Sequence, residues 1–384
     1  MIQGPIRGSL SDADSVIELA NECFQHDRDT GGILARWPHA CYQVTNRFVM
    51  KDDDKVVSNV GYADQTVLVE GKEIKVAGLT LVSTWPTYRG RSFMTQLLKR
   101  SIQAMTEEGY AFSDLGGDRQ RYGHFGWESA GREWDFHITK RSLDDTNAPA
   151  GFQVTQYPAS SKEIDAIIAI HDKEPLRMKR TRELYEMLLG RMGKQVWLAS
   201  NNGGIVAYVV SEPGENHQQV MEFGGNEEGI HAIFRYFIDT VNSKSINVKS
   251  PWIHPMNYKL FSVSSYWDAQ CPRMLKIMNL ESTLSGFANQ LGRKYREFGF
   301  QNRQFVSVGM EGANQIVEIE FTPDEVNVKK SARSSDTLML SDQEMVRFVF
   351  GPGVPSAMVK LPSRLKYLDA LFPVDFYLWS NETV

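Results

Sequence analysis

Three runs of alternating apolar and polar residues follow one another in the first quarter of the chain. They read RFVMKD from Arg47, KVVSNVGYADQTVLVE from Lys55 and KEIKVAGLTLVSTW from Lys72. Short polar turns, rich in aspartate, glutamate and glycine, separate the runs. Alternation with a period of two is typical of half-buried strands, and short turns between such runs favour antiparallel pairing. The sequence therefore predicts an antiparallel meander.

A basic turn and an amphipathic helix follow the third run. The turn reads PTYRGRS, and apolar residues then recur at helical spacing from Phe93 to Met105. The first N–H groups of a helix have no intrahelical partner and carry the positive end of its dipole, so a basic turn there suits a phosphate. No GxxxxGK[ST] segment occurs, which excludes a nucleoside-triphosphate P-loop. The residues alone leave phosphate binding and a solvated surface loop both open.

Length and composition indicate two or three domains, and the pattern along the chain selects three. The chain has 384 residues, more than the roughly 250–300 at which one core stops growing. Its 42% apolar content, with 8 Trp, 14 Tyr and 20 Phe, suits packed cores. We expect three domains, residues 1–148, 149–274 and 275–384. The second repeats the strand and helix pattern of the first without the basic turn, because Asn226, Glu227 and Glu228 stand at the corresponding helix start.

Several function classes are excluded by charge and by cysteine and histidine spacing. A net charge of −5 gives no general field for nucleic acid. Cys23, Cys41 and Cys271 form no CxxC pair, and His171 and His254 have no partners at metal-ligand spacing, so we expect neither a disulfide framework nor a metal. The chain start resembles no signal peptide, and no run approaches the ~20 apolar residues of a membrane span. We expect a cytoplasmic protein that does not bind a membrane.

The segment VAGLTLVSTWPTYRGRSFMTQLLKR resembles the acyl-CoA-binding segment of the GNAT acetyltransferase superfamily. The resemblance implies acetyl-CoA as co-substrate, with its pantetheine arm on a strand edge and its pyrophosphate on the turn. The implied strand edge is Leu81, Val82, Ser83 and Thr84, and the implied turn is Arg89, Gly90, Arg91, Ser92, Phe93 and Met94. Ser92 and Met94 depart from the family pattern, which has small residues at both positions.

The segment YGHFGW, which begins at Tyr122, resembles a motif near the end of GNAT domains. The resemblance implies that the Tyr122 hydroxyl faces the sulfur of the cofactor. A phenol with a pKa of ~10 can protonate a leaving thiolate whose conjugate acid has a pKa near 8.5. Tyr122 is therefore the candidate general acid, and a packing tyrosine is the alternative.

The whole chain is similar to the Eis (enhanced intracellular survival) group of N-acetyltransferases. The likeness rests on two GNAT-like units followed by a third unit similar to sterol carrier proteins, and its distal segments are residues 267–284 and 371–384. It implies a mixed α+β and α/β fold, with tandem GNAT-like mixed sheets, flanking helices and a C-terminal sterol-carrier-like α+β unit. It also implies a homo-oligomer, in that group commonly a hexamer.

In the Eis-like group the terminal carboxylate enters the active site, which assigns a catalytic role to Val384. We expect Ser380, Asn381 and Glu382 before it to lie in a solvated channel. The side-chain alternatives for a base are Asp114, Asp118, His124 and Glu128.

The sequence thus predicts an acetyl-CoA-dependent N-acetyltransferase. Its acceptor would be a primary amine, such as an aminoglycoside, a polyamine or a lysine side chain, which attacks the thioester directly in a ternary complex. The alternative is a double-GNAT scaffold or binding protein without tight CoA binding. The departure at Ser92 is the feature that separates the two hypotheses.

Overall fold

The structure, a computed structural model, describes residues 1–24, 32–36, 38, 45–146, 149–158 and 163–383. By its internal contacts the chain divides into two compact units. The first unit comprises residues 1–131 and 272–376, and the second comprises residues 132–271 and 377–383. Each unit is thus assembled from separate stretches of chain, and the three sequential domains remain a prediction.

The strands of the described residues are numbered in chain order. They are β1 (Ile2–Arg7), β2 (Arg47–Asp52), β3 (Lys55–Val69), β4 (Lys72–Thr84), β5 (Phe112–Leu115), β6 (Glu128–Ala130), β7 (Glu133–Thr139), β8 (Gln153–Gln156), β9 (Leu176–Met178), β10 (Gln195–Asn201), β11 (Gly204–Pro213), β12 (His217–Gly225), β13 (Ser245–Pro251), β14 (Tyr266–Gln270), β15 (Arg273–Ile277), β16 (Gln304–Met310), β17 (Gln315–Phe321), β18 (Val326–Lys330) and β19 (Leu338–Leu340).

The α-helices of the described residues are numbered in the same way. They are α1 (Ala13–Phe24), α2 (Gly32–Arg36), α3 (Phe93–Glu107), α4 (Arg119–Gly123), α5 (Lys140–Asp144), α6 (Glu163–His171), α7 (Arg182–Leu189), α8 (Glu227–Asp239), α9 (Asn257–Val263), α10 (Leu280–Gly286), α11 (Ala288–Glu297), α12 (Asp342–Phe350) and α13 (Pro355–Met358).

The first unit is organised around a mixed sheet with the strand order β1-β2-β3-β4-β5-β15-β6. Strands β1 to β4 pair antiparallel in sequence order, which confirms the predicted meander. Strand β5 pairs parallel to β4, and β15 pairs antiparallel to both β5 and β6. The MLKI stretch, expected at the start of a third unit, thus lies inside the first sheet.

Helix α3 closes one face of this sheet. Its apolar residues recur every three or four positions, so Phe93, Leu97, Leu98 and Met105 share one side and are buried. They pack in one cluster with residues of β2, β3 and β4. This packing fixes the start of α3 at the end of β4.

The second unit has its own mixed sheet, with the strand order β14-β7-β13-β12-β11-β10-β8. Strand β7, which the sequence places at the end of the first domain, pairs here between β13 and β14. Helix α8 packs on the sheet through Ile230, Ile233, Phe234 and Phe237, all fully buried. A strand's place in the chain therefore did not decide which sheet it joins.

Residues 278–376 add a smaller sheet with the strand order β18-β17-β16-β19. Strands β16, β17 and β18 are antiparallel neighbours, and β19 pairs parallel to β16. Helices α10 to α13 belong to the same stretch of chain. This arrangement is α+β, and its likeness to sterol carrier proteins remains a prediction.

Candidate active site

A cavity of about 610 Å³ in the first unit brings most of the predicted cofactor residues together. Its lining includes nine of the ten: Val82, Ser83, Thr84, Arg89, Gly90, Arg91, Ser92, Phe93 and Met94. It also includes five residues that the sequence analysis did not select: Cys23, Phe24, Tyr88, Thr95 and Arg121. The tenth predicted residue, Leu81, is buried and packs against Ala20 and Ile33 instead.

Leu81 marks an irregularity in β4 that a buried polar network holds in place. Its φ is +50°, and the register between β3 and β4 shifts at Asn59 and Gly61. The Asn59 amide and the Ser83 hydroxyl donate to the Leu81 carbonyl at 2.7 and 2.9 Å. A left-handed residue other than glycine costs about 1–2 kcal/mol, which these buried hydrogen bonds offset.

Beyond this irregularity one edge of β4 is open. Strands β4 and β5 pair only from Val76 to Gly78, opposite residues 112–114, and the described residues form no such pair further along. On its other edge β4 still pairs with β3 at Ser83 and Thr84. The open edge offers main-chain N–H and C=O groups that an extended ligand can use for hydrogen bonds.

The start of α3 is also open. Its N-cap residue, Ser92, has a φ of +59° and makes no side-chain capping hydrogen bond. The first bond of the helical ladder runs from the Gln96 N–H to the Ser92 carbonyl at 3.1 Å. The N–H groups of Phe93, Met94 and Thr95 therefore have no intrahelical partner. A helix of 15 residues with a free N-terminus presents these donors and its positive dipole end to an anion.

Three arginines add positive charge to the cavity. Arg89, Arg91 and Arg121 are exposed, and within the described part of the chain none of them forms an ion pair. The Arg91 guanidinium lies 5.0 Å from the ring centre of Tyr88, and the Arg89 Nε donates to the Thr84 carbonyl at 3.3 Å. These contacts hold the two side chains near the helix start and leave their charge available to a phosphate.

Tyr122 lies in α4 close to the cavity but is not among its lining residues. Its ring packs edge-on against Trp127, with centroids 6.3 Å apart, and only 7% of the residue is exposed. Gly117 leaves room for this ring, because a Cβ there would come within 2.6 Å of it. Burial raises the pKa of Tyr122, and the neighbouring Arg121 charge partly offsets that rise. The hydroxyl therefore stays protonated at neutral pH.

Two of the alternative bases are engaged in ion pairs. Asp114 is fully buried and pairs with Arg273. Glu128 accepts from Arg119 at 2.5 and 2.8 Å and from Arg347 at 2.5 Å. Burial alone would raise the pKa of Glu128, but these two arginines hold that pKa below its ordinary value. Both carboxylates are thus held in ion pairs within the first unit, and neither lines the cavity.

The other two alternatives line a second cavity, of about 670 Å³. His124 is exposed, and the Asp118 carboxylate caps α4 by accepting from the Arg121 N–H at 2.8 Å. The full lining is Met94, Thr95, Lys99, Asp118, Gln120, Arg121, His124 and Phe125. Three of these residues, Met94, Thr95 and Arg121, also line the first cavity, so the two adjoin.

The segment before the chain end differs from its expected state. Val384 lies outside the described residues. Asn381 and Glu382, which we expected in a solvated channel, are fully buried in the second unit. The Arg180 guanidinium donates to Glu382 at 2.6 and 2.9 Å, and this pairing compensates the burial of the carboxylate. The expectation of a solvated segment was therefore wrong for these two residues.

Within the described residues there is no cluster of histidine, cysteine, aspartate and glutamate able to hold a metal ion. Of the helices described, none combines the length and apolar character needed to cross a membrane. Arg121 and Tyr88 were missed as lining residues because their neighbourhood depends on how β4, α3 and α4 meet, although Arg121 directly precedes the predicted Tyr122.

Comparisons with known proteins find a family model that matches the part of the chain containing this site. Residues 6–130 match the model of the acetyltransferase (GNAT) domain. This range contains β4, the basic turn, α3 and Tyr122. No curated protein matches the sequence.

Several solved structures share the fold over nearly the whole chain. A GCN5-related N-acetyltransferase from Kribbella flavida has a TM-score of 0.73 at 16% identity, with 98% of this chain and 97% of that chain covered. Eis1 from Mycobacterium abscessus has a TM-score of 0.68 at 12% identity, with both chains fully covered. A probable N-acyltransferase from Enterococcus faecalis has a TM-score of 0.70 at 14% identity, with 91% and 89% covered. The domain match and this fold together support an acyltransferase.

Proposed function

We propose that the protein is an acetyl-CoA-dependent N-acetyltransferase that acts on a primary amine. The observation that carries the proposal is the uncapped start of α3, with Arg89 and Arg91 beside it, at a cavity that continues along the open edge of β4. Unpaired N–H groups and guanidinium charges suit the pyrophosphate of coenzyme A. The open edge suits the amides of its pantetheine arm.

The reaction requires a nucleophile, a leaving group, a proton donor for the leaving group and a base for the nucleophile. The neutral amine attacks the thioester carbonyl carbon, the C–N bond forms, and the C–S bond breaks as the oxyanion collapses. The departing thiolate takes a proton. Tyr122 is our candidate donor, since its raised pKa keeps the hydroxyl protonated and it directly follows Arg121, which lines the cavity.

The base takes a proton from the ammonium form of the acceptor, directly or through water. We assign this role, or the orientation of the amine, to the terminal carboxylate of Val384. The ion pairs of Asp114 and Glu128 favour this choice over those two side chains. Extending the chain after Val384 should lower turnover sharply, while the same extension before Met1 should change little. Full activity of the C-terminally extended protein would overturn this role of Val384.

The overall charge permits a cationic acceptor but does not identify which amine it is. An acidic protein with a net charge of −5 accommodates a cationic acceptor such as an aminoglycoside, a polyamine or a lysine side chain. A screen of these amines with acetyl-CoA, in which the release of the coenzyme A thiol is measured, identifies the acceptor.

The first test is the binding of acetyl-CoA to the folded protein. A ligand present at ~100 times its dissociation constant adds about 2.7 kcal/mol to the free energy of unfolding. We expect a higher melting temperature with acetyl-CoA, and a smaller rise in the Arg91→Ala variant. The same rise in the variant would show that the turn is not the pyrophosphate site.

A scaffold without tight CoA binding is the second candidate function. The observation that favours it is Ser92, which holds a left-handed φ of +59° where glycine would be unstrained. No thermal shift at millimolar acetyl-CoA would support this candidate.

We further propose that the protein is a homo-oligomer, with the hexamer as the assembly that the Eis resemblance implies. Large apolar side chains are exposed on the second unit, among them Ile253 (61%), Tyr258 (85%) and Tyr266 (55%). Exposed aliphatic and aromatic side chains of this kind can supply contacts between subunits. A 43.6 kDa monomer in sedimentation would contradict this assembly.

A further inference from the structure

The second cavity offers a binding surface that the proposed reaction does not yet use. It adjoins the first cavity through Met94, Thr95 and Arg121. Its charged lining includes Lys99 and Arg121, and its apolar lining includes Phe125. The two cavities therefore lie side by side along the first turns of α3.

Lys99 is placed to extend the positive surface of the helix start. It follows Thr95 by four residues, so the two side chains share one face of α3. A rise of about 1.5 Å per residue puts the Lys99 Cα roughly 6 Å further along the axis, and helical side chains lean back toward the N-terminus. Lys99 is exposed and forms no ion pair within the described residues. Its ammonium group is thus available to a second anion near the first.

The charged side chains that line the second cavity give it a net positive charge. Asp118 also lines it, but its carboxylate accepts the Arg121 N–H at the start of α4, at 2.8 Å. Lys99 and Arg121 together outweigh this single, hydrogen-bonded carboxylate. Phe125 and Met94 provide partly buried apolar surface next to them.

Coenzyme A has two separate anionic groups, the pyrophosphate and the phosphate monoester on the ribose 3′ carbon. When the helix start holds the pyrophosphate and the pantetheine arm follows β4 in the first cavity, the nucleoside must extend from the pyrophosphate in a different direction from the arm. The adjoining second cavity matches that end, because it combines cations for a phosphate with an aromatic ring and a thioether for a purine.

We propose that the second cavity binds the 3′-phosphoadenosine end of coenzyme A, and that Lys99 recognises the 3′-phosphate. This inference rests on the proposed function and adds a specificity to it: the protein discriminates coenzyme A from dephospho-coenzyme A. A single charge-assisted contact at an exposed site corresponds to about tenfold in affinity.

Calorimetric titration of the full chain with coenzyme A and with dephospho-coenzyme A tests the inference without any turnover. We expect the wild type to bind coenzyme A about tenfold more tightly. Lys99→Ala should weaken coenzyme A by about that factor and leave dephospho-coenzyme A unchanged, and Lys99→Arg should restore most of the difference. Lys72→Ala is the matched control, since Lys72 is exposed on the same unit and lines neither cavity.

The possible outcomes distinguish a failure of the Lys99 assignment from a failure of the proposed function. Equal affinity of the wild type for both ligands, or an equal loss for both in Lys99→Ala, would overturn the role of Lys99 while leaving CoA binding intact. The same selective loss in Lys72→Ala would reduce the effect to general charge and would also overturn it. Binding of neither ligand by the wild type would overturn the proposed function itself.

Discussion

Helices α3 and α8 have similar places in their units, but they differ in whether the N–H groups at the helix start are available to an anion. Each helix follows a strand of its unit's main sheet and packs an apolar face on that sheet. The start of α3 is uncapped and has Arg89 and Arg91 beside it. The start of α8 is capped by Asn226, whose side chain accepts from the Gly229 N–H at 2.9 Å. One start is open to an anion, and the other is closed.

Charge strengthens this difference. Glu227 and Glu228 occupy the first turn of α8, where they interact favourably with the helix dipole and repel any anionic ligand. The Asn226 N–H is also engaged, since it donates to the Val206 carbonyl at 2.8 Å. Two units can therefore share a fold without sharing a binding site, because a few residues at a helix start decide whether its N–H groups are available.

The largest expected effect concerns one arginine from each unit. The Arg180 side chain is fully buried and pairs with Glu222 and Glu382, whereas Arg91 is exposed. Arg180→Met should lower the free energy of unfolding by about 3–5 kcal/mol, because two buried carboxylates lose their counter-charge. Arg91→Met should change it by less than about 0.5 kcal/mol. Urea denaturation measures both.

A control separates charge from packing in this pair of variants. Adding Glu382→Gln to Arg180→Met should recover part of the lost stability, since it removes one of the two buried charges that Arg180 neutralised. Equal stability of the Arg180→Met and Arg91→Met proteins would contradict the contrast between a structural and a binding arginine.

The next effect concerns catalysis in the open unit. Tyr122→Phe keeps the ring against Trp127 and removes the hydroxyl. We expect kcat to fall by about 10²–10³, the usual range for a general acid, with the affinity for acetyl-CoA nearly unchanged. Steady-state kinetics and calorimetry measure the two quantities. Unchanged kcat would leave Tyr122 a packing residue.

The smallest effect compares the two N-cap residues directly. Asn226→Ala should lower the free energy of unfolding by about 1 kcal/mol, because the Gly229 N–H loses its partner. Ser92→Ala should change stability by less than about 0.5 kcal/mol, since the Ser92 side chain caps nothing. Thermal denaturation of the two variants provides the matched comparison. Equal losses would mean that α3 is capped after all, and so closed to a phosphate.

Local features of the chain were predictable from its sequence. The period-two runs of residues 47–84 predicted the meander, and the spacing of apolar residues predicted α3 and its buried face. The acidic residues after Gly225 predicted a helix start without a basic turn, and Glu227 and Glu228 occupy the first turn of α8. These signals are readable because each depends on residues a few positions apart.

The partnership of distant segments was decided only by tertiary structure. Strand β7 joined the second sheet, β15 was inserted between β5 and β6, and Glu382 became buried against Arg180. The local pattern of a strand is the same in either sheet, so it does not indicate which sheet the strand joins. A glutamate near a chain end is expected to be solvated, and only a distant arginine that compensates its charge allows it to be buried. The sequence by itself determined the meander, helix α3 and the basic turn that precedes it. Long-range pairing and burial, which depend on the free energy of the whole packed chain, determined which segments share a core.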